Sequence, residues 1–143
     1  MPEPPQVPGA AAVADYVRGS DWPTANRDLG GLRYSPLREI TVTNVDELRQ
    51  AWAYPLGGAE GAASLGSELT PIVVGGVLYA TAADRVVALE ADSGEEIWRF
   101  MSERDAPSRR GLTYWPGDAA MAARIFFTAG RKLVALDAAT GQR

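Results

Sequence analysis

The sequence of 143 residues contains neither cysteine nor histidine. Without cysteine the chain can form no disulfide and no thiolate metal site, although reducing and oxidising compartments both remain open. Without histidine it lacks the usual general base near neutral pH and the commonest metal ligand. We therefore expect these residues to supply neither a catalytic group nor a metal ligand.

Long apolar runs and excess positive charge are also absent. No segment approaches the roughly 18 apolar residues of a membrane span, and residues 1–5 do not open a signal peptide. The formal net charge of −4 leaves no basic stripe, so nucleic acid is not an expected partner. A composition of 46% hydrophobic and 22% charged residues is typical of a globular protein.

What the sequence does contain is an internal repeat. The segment Ala-Leu-Glu-Ala-Asp-Ser-Gly-Glu at residues 88–95 recurs 47 residues later as Ala-Leu-Asp-Ala-Ala-Thr-Gly-Gln at residues 135–142. A period of about 40–50 residues suits one four-stranded propeller blade. The repeated Ser/Thr-Gly is interpreted as a turn between strands, and Trp98 is expected to cover such a turn in the neighbouring blade.

Alternating apolar residues and glycine turns predict the strands of these blades. The pair Gly75-Gly76 indicates a tight hairpin, which opens a complete blade over residues 70–100. An incomplete blade with three strands occupies residues 110–143. The predicted strands cover residues 70–74, 77–80, 85–89, 96–100, 112–115, 124–128 and 132–136.

The region before the blades is predicted to be mostly irregular. Residues 1–20 form a proline-rich flexible lead with at most a helical turn or two over residues 10–17. A leader follows at residues 21–47, ending near a short helix capped by Thr43 or Asn44. The alternation over residues 48–55 indicates an outer strand that stops at a proline. The predicted class is therefore all-β, a partial β-propeller with an irregular N-terminal leader.

The docking repeat, with Trp98 four positions after Gly94, resembles the tryptophan-docking motifs of the quinoprotein alcohol and sugar dehydrogenases, which use pyrroloquinoline quinone (PQQ). Leader segments at residues 21–22, 33–37 and 51–52 and inner-strand segments at residues 68–71 and 110–115 are also similar to that family. The resemblance covers about residues 20–143.

The resemblance implies that these two blades are the N-terminal part of an eight-bladed propeller. It also implies PQQ held beside a Ca²⁺ ion, oxidation of an alcohol or sugar hydroxyl, a quinone or cytochrome c as electron acceptor, and a periplasmic location. The family's calcium ligands, catalytic aspartate and PQQ-stacking aromatic residue lie in later blades and have no counterpart here.

Two positions match the family's cofactor contacts. Arg110 corresponds to an arginine that pairs with a PQQ carboxylate, a role suited to a planar guanidinium. Glu68 corresponds to an acidic residue near the cofactor edge, where it must share a proton or a bridging partner. As alternatives, Arg110 is a surface cation beside Arg109 and Glu68 a solvated loop carboxylate. Tyr114 is expected to pack in the core, as is the tryptophan that follows it.

The family's adjacent cysteine pair, found in many alcohol-oxidising members, is replaced here by Ala106-Pro107-Ser108, which favours the sugar-oxidising or less characterised branches. Two other hypotheses remain. One is a non-catalytic propeller that binds protein partners, as in bacterial outer-membrane assembly lipoproteins. The other is a truncated or split gene product without activity, because two blades cannot close a ring.

Overall fold

The computed structural model describes residues 21–28, 30–57 and 68–143. The predicted flexible lead at residues 1–20, with its helical turn, lies outside the described residues. The described elements are a short 3₁₀ helix, Val45–Glu47, and seven strands: β1 Ile72–Val74, β2 Val77–Thr81, β3 Arg85–Glu90, β4 Glu96–Met101, β5 Thr113–Trp115, β6 Arg124–Ala129 and β7 Lys132–Asp137.

The strands form two antiparallel sheets whose order follows the chain. The first sheet has the order β1-β2-β3-β4 and the second has the order β5-β6-β7. Gly75 and Gly76 join β1 to β2 with φ values of 58° and 80°, a left-handed pair that glycine adopts without steric cost. The predicted hairpin and the all-β partial-propeller class are confirmed.

The first sheet is covered on both faces, because side chains alternate across a strand. On β3, Val86 and Ala88 face the second sheet, where they pack with residues such as Ile125 and Leu136. The alternate residues Val87 and Leu89 face the other way, toward Trp52, Tyr54 and Leu56. The two sheets are therefore stacked as neighbouring layers, and residues 52–56 form a third layer on the other face of the first sheet.

Each repeated turn receives a tryptophan. Trp98 donates from Nε1 to the Ala138 carbonyl oxygen at 3.0 Å, and a Cβ atom on Gly141 would lie 2.6 Å from its ring. The predicted docking of Trp98 on the neighbouring turn is confirmed. Asp137 and Thr140 hydrogen-bond within that turn, and the Thr140 hydroxyl lowers the pKa of the Asp137 carboxyl.

The predicted outer strand at residues 48–55 is not a strand in the structure. Partial burial nevertheless alternates with period two from Trp52 to Leu56, as it would on a strand with one covered face. No neighbouring segment pairs with this stretch among the described residues, and backbone pairing is what defines a strand. The alternating pattern therefore predicted correctly which side chains are covered, but the prediction of a strand was wrong.

The predicted short helix at residues 43–48 is reduced to the three-residue 3₁₀ helix. Asn44 occupies the N-cap position, but its side chain does not cap the helix. Its Nδ2 donates to the Glu39 carbonyl oxygen at 2.8 Å, and its Oδ1 accepts from the Thr41 N–H at 2.7 Å. The side chain closes the preceding turn, so the leader is irregular, as expected.

Candidate functional site

Glu68 and Arg110 lie side by side at the entry to the two sheets. Glu68 precedes β1 by four residues, and Arg110 precedes β5 by three. Arg110 Nη2 is 3.5 Å from Glu68 Oε2, with 84% and 68% of the respective side chains exposed. The structure therefore brings together the two residues that the sequence had singled out separately.

The glycine after Arg110 explains how the two segments can approach so closely. Gly111 has a φ of +92°, and a Cβ atom there would lie 2.9 Å from the Thr70 carbonyl oxygen. A residue with a side chain would be strained in its own backbone and would also collide with this oxygen. The Arg-Gly dipeptide thus places a charged side chain next to a glycine, and the glycine lets the backbone pack against the neighbouring segment.

The segment before Arg110 is anchored to both sheets. The buried hydroxyl of Thr81 on β2 donates to the Ser108 carbonyl oxygen at 3.0 Å. The Ser108 N–H donates to the Thr128 carbonyl oxygen on β6 at 2.7 Å, and Ser108 Oγ accepts from the Arg110 N–H at 3.2 Å. These bonds fix the backbone at Arg110 while its side chain stays accessible.

The charged groups at this site are one carboxylate and two guanidinium groups. A single exposed ion pair contributes about 0–1 kcal/mol, so the contact between Arg110 and Glu68 holds the guanidinium only weakly. The guanidinium fork can bind a carboxylate through two parallel hydrogen bonds. Arg109, also exposed, adds a second positive charge nearby.

Tyr114 is partly buried and packs against the core, in the direction predicted. Its ring stacks on Tyr79 with centroids 6.4 Å apart, and it packs against the apolar cluster between the sheets. Burial raises the pKa of Tyr114, and burial also raises the pKa of Tyr79 to about 12. The Tyr79 hydroxyl donates to the Ala138 carbonyl oxygen at 3.2 Å. Neither phenol is poised to exchange a proton near neutral pH.

Sequence reasoning missed a polar clasp that fastens residues 54–57 to the first sheet. Arg85 donates to the carbonyl oxygens of Pro55 at 2.8 Å and Gly57 at 3.2 Å. The Tyr54 hydroxyl bonds to the Glu96 carboxylate. Burial raises the pKa of Tyr54, and this bond raises it further. The partners are 28 to 42 positions apart in sequence, so no local pattern could have indicated the clasp.

One cleft lies away from this site. Its volume is about 380 Å³, and its lining includes Phe100, Asp105, Lys132 and Arg143 but neither predicted cofactor residue. Within the described ranges, no group of three or more acidic residues could hold a metal ion. No helix among the described residues is long and apolar enough to cross a membrane.

Comparison with known proteins identifies relatives of this chain. Residues 22–143 match the family model described as PQQ, glucose/ethanol/alcohol dehydrogenase, beta-propeller domain. The chain is 37% identical over 139 residues to a 1-butanol dehydrogenase (cytochrome c) of Thauera butanivorans, covering 92% of this chain and 19% of the relative. The chain thus spans about a fifth of the length of the curated relatives it matches.

Two solved structures share its fold. The quinohemoprotein alcohol dehydrogenase of Comamonas testosteroni superposes with a TM-score of 0.74 at 31% identity, over 94% of this chain and 20% of that one. A europium-containing methanol dehydrogenase gives a TM-score of 0.74 at 28% identity, over 92% of this chain and 24% of that one. Both comparisons extend across the leader as well as the two sheets.

Proposed function

We propose that this chain, which belongs to the PQQ-dependent glucose/ethanol/alcohol dehydrogenase family, forms two neighbouring blades of a larger propeller that oxidises an alcohol or sugar hydroxyl. The observation that carries the proposal is the pairing of Glu68 with Arg110 at equivalent ends of consecutive sheets. In an eight-bladed ring, the site formed by Glu68 and Arg110 would be part of the surface that contacts the cofactor, which we call the cofactor wall.

Arg110 is proposed to bind a carboxylate of PQQ through its guanidinium fork. The anchoring of residues 107–111 to both sheets supports this role, because a fixed backbone reduces the entropy lost when the side chain binds. Glu68 would remain in contact with Arg110 and orient it, with their opposite charges limiting repulsion of the anionic cofactor. When bound, PQQ supplies the two-electron acceptor that no amino-acid side chain provides.

A metal ion beside the cofactor is part of the proposal. We propose Ca²⁺, with ligands and the catalytic aspartate supplied by further blades, since the described residues hold no suitable cluster. The metal would act as a Lewis acid and the aspartate would accept the hydroxyl proton. The europium in one related dehydrogenase makes a lanthanide the alternative to compare in binding experiments.

Different observations bear on the substrate and on the electron acceptor. Absence of the adjacent cysteine pair favours a sugar, whereas several of the relatives are alcohol dehydrogenases. Relatives named for cytochrome c and for quinone support both classes of electron acceptor. We propose a small alcohol or sugar as substrate, one of these acceptors, and a periplasmic location.

The test is calorimetric titration of PQQ, with Ca²⁺ or a lanthanide, into the completed propeller. By this term we mean the chain joined to the four-fifths of the Comamonas testosteroni enzyme that it does not match. We expect micromolar or tighter binding, and a roughly 10- to 100-fold higher Kd for Arg110→Ala, because a hydrogen-bonded charge contributes about 1.5–3 kcal/mol. Arg109→Ala, the exposed neighbour, is the matched control and should change the Kd much less.

A propeller that only binds protein partners is the competing function. In that case Arg110→Ala would leave its interactions intact, and PQQ would not bind. Absence of micromolar PQQ binding with either metal, or equal effects of Arg109→Ala and Arg110→Ala, would contradict the proposed cofactor wall.

A further inference from the structure

We propose that Thr81 on β2 is a positioning residue for Arg110, acting through the backbone that joins the two sheets. Residues 102–110, which we call the connecting segment, follow β4 and end at Arg110. The inference rests on the proposed function of Arg110 and names the group that sets where its guanidinium stands. Thr81 itself is buried in the protein, so its effect on a ligand would be indirect.

Thr81 is a polar residue in an apolar place. It ends the strand Val-Leu-Tyr-Ala-Thr and is 4% exposed, among buried neighbours that are hydrophobic. A buried hydroxyl costs free energy unless it finds a hydrogen-bond partner. The Thr81 hydroxyl donates to the Ser108 carbonyl oxygen at 3.0 Å. Valine would suit this strand position without needing a partner, so what threonine adds is the bond to the connecting segment.

Ser108 is held between the two sheets. Its N–H donates to the Thr128 carbonyl oxygen on β6 at 2.7 Å, while its carbonyl oxygen accepts from Thr81 on β2. The two bonds belong to the peptide groups on either side of one Cα atom, so they fix the orientation of the backbone as well as its position. Ser108 Oγ accepts from the Arg110 N–H at 3.2 Å, which links this fixed point directly to Arg110.

Several other contacts of the connecting segment are made with the second sheet. Pro107 pairs with Ala129 on β6 through an isolated backbone bridge. Asp105 Oδ2 accepts from Lys132 Nζ on β7 at 3.1 Å, with 38% and 68% of the respective side chains exposed. An ion pair as exposed as this one contributes little. These contacts place the segment on the sheet to which Arg110 leads.

The position of Arg110 relative to Glu68 depends on the first sheet. Glu68 leads into β1 of the first sheet, and Arg110 leads into β5 of the second. At the start of the connecting segment, the Ser102 N–H donates to the Asp84 carbonyl oxygen at 2.9 Å. Closer to Arg110, the hydrogen bond from Thr81 is the one that ties the segment to the first sheet among the described residues. Thr81 therefore fixes the spacing between the guanidinium and the Glu68 carboxylate.

This arrangement should affect affinity for an anionic cofactor. A guanidinium on a fixed backbone loses less conformational freedom when it binds a carboxylate than one on a mobile segment. Loss of one neutral hydrogen bond changes an equilibrium by about threefold to tenfold. We expect an effect of this size on the Kd for PQQ when the Thr81 hydroxyl is removed.

The experiment compares Thr81→Val with Thr81→Ser in the completed propeller. Valine removes the hydroxyl and keeps a branched side chain suited to a strand, whereas serine keeps the hydroxyl and is the matched control. Two quantities are measured: the Kd for PQQ by calorimetry, and hydrogen exchange of the peptide covering residues 102–112 by mass spectrometry without PQQ. Thr81→Val should raise the Kd about threefold to tenfold and speed exchange in this peptide but not in β7, and Thr81→Ser should do neither.

A double-mutant cycle with Arg110→Ala separates positioning from a general loss of stability. Once Arg110 is absent, Thr81→Val should change the Kd less than about twofold, because the two residues act through one contact. An undiminished effect in the Arg110→Ala background would overturn the inference, as would equal exchange in the valine and serine variants. If PQQ binds to none of the proteins, the proposed function fails, while the exchange comparison still decides whether Thr81 holds the connecting segment.

Discussion

Three of the glycines that the structure describes illustrate one physical explanation, which is that another group occupies the space of a side chain. At Gly94 and Gly141 that group is a docked tryptophan ring, and at Gly111 it is the Thr70 carbonyl oxygen. All three also have positive φ values. Single residues without side chains therefore fix both the contacts between layers and the approach of Arg110 to Glu68.

Gly111→Ala should reduce stability and PQQ affinity together. The substitution places a Cβ atom 2.9 Å from the Thr70 carbonyl oxygen and strains a backbone with φ of +92°. Gly76→Ala is the matched control, because Gly76 has φ of +80° but open space around it. Backbone strain should cost about 1–2 kcal/mol in both variants, and the collision should add to it only at Gly111.

The measurement is thermal unfolding of the completed propeller together with PQQ titration. The account predicts a larger drop in Tm for Gly111→Ala than for Gly76→Ala, and a raised Kd in the former alone. If the two variants lose the same stability and bind PQQ equally, the close approach of Gly111 to Thr70 does not position Arg110.

Among the elements, the strands could be predicted from the sequence, whereas the polar clasp at residues 54–57 could not. Glycine turns and alternating apolar residues define β1 to β7 because each is a local signal. The clasp joins Arg85 to Pro55 and Gly57, and its geometry exists only after the chain has folded. The proximity of Glu68 to Arg110 is likewise a tertiary contact, and although both residues were singled out from the sequence, the distance between them was not predicted.

The segment at residues 48–55 shows why a correct pattern can predict the wrong element. Its alternation indicates one covered face, and Trp52 and Tyr54 do face the first sheet. A strand also needs a hydrogen-bonded neighbour, which the described residues do not supply. Asn44 is a second example. Its residue type predicts a helix N-cap, but an asparagine side chain can bond to several nearby backbone groups, and here it bonds to the preceding turn.

Replacement of Trp98 should separate the two contributions to docking between sheets. Trp98→Ala removes a buried ring and should lower the free energy of unfolding by about 3–5 kcal/mol. Trp98→Phe keeps most of the apolar contact and loses only the Nε1 donor. The Ala138 carbonyl oxygen still accepts from the Tyr79 hydroxyl, so the loss should be about 0.5–1.5 kcal/mol for the ring hydrogen bond, plus reduced packing.

Denaturant unfolding of the completed propeller, followed by tryptophan fluorescence, would measure both variants. Equal losses for Trp98→Phe and Trp98→Ala would contradict docking through ring burial, since the hydrogen bond would then account for the whole effect. A loss below about 1 kcal/mol for Trp98→Ala would show that the sheets stay stacked without this contact.

For the whole molecule, the free surfaces predict association. β7 pairs with β6 on one side only within the described residues, and Leu133 on β7 is 71% exposed. An uncovered strand edge is a template for pairing with another chain. Together with the exposed hydrophobic side chains between residues 32 and 48, this edge should make the isolated 143-residue chain oligomeric or poorly soluble. Light scattering after size exclusion would test this, and a monodisperse monomer with a sharp cooperative melt would contradict it.

The central claim is that two stacked sheets present Arg110 to an anionic quinone inside a completed ring. The most direct measurement is an experimental structure of the completed propeller with PQQ and its metal ion. The account predicts the Arg110 guanidinium within hydrogen-bonding distance of a PQQ carboxylate, with Glu68 still beside it. A structure in which the Arg110 side chain points away from the ring interior, toward bulk solvent, would contradict the account.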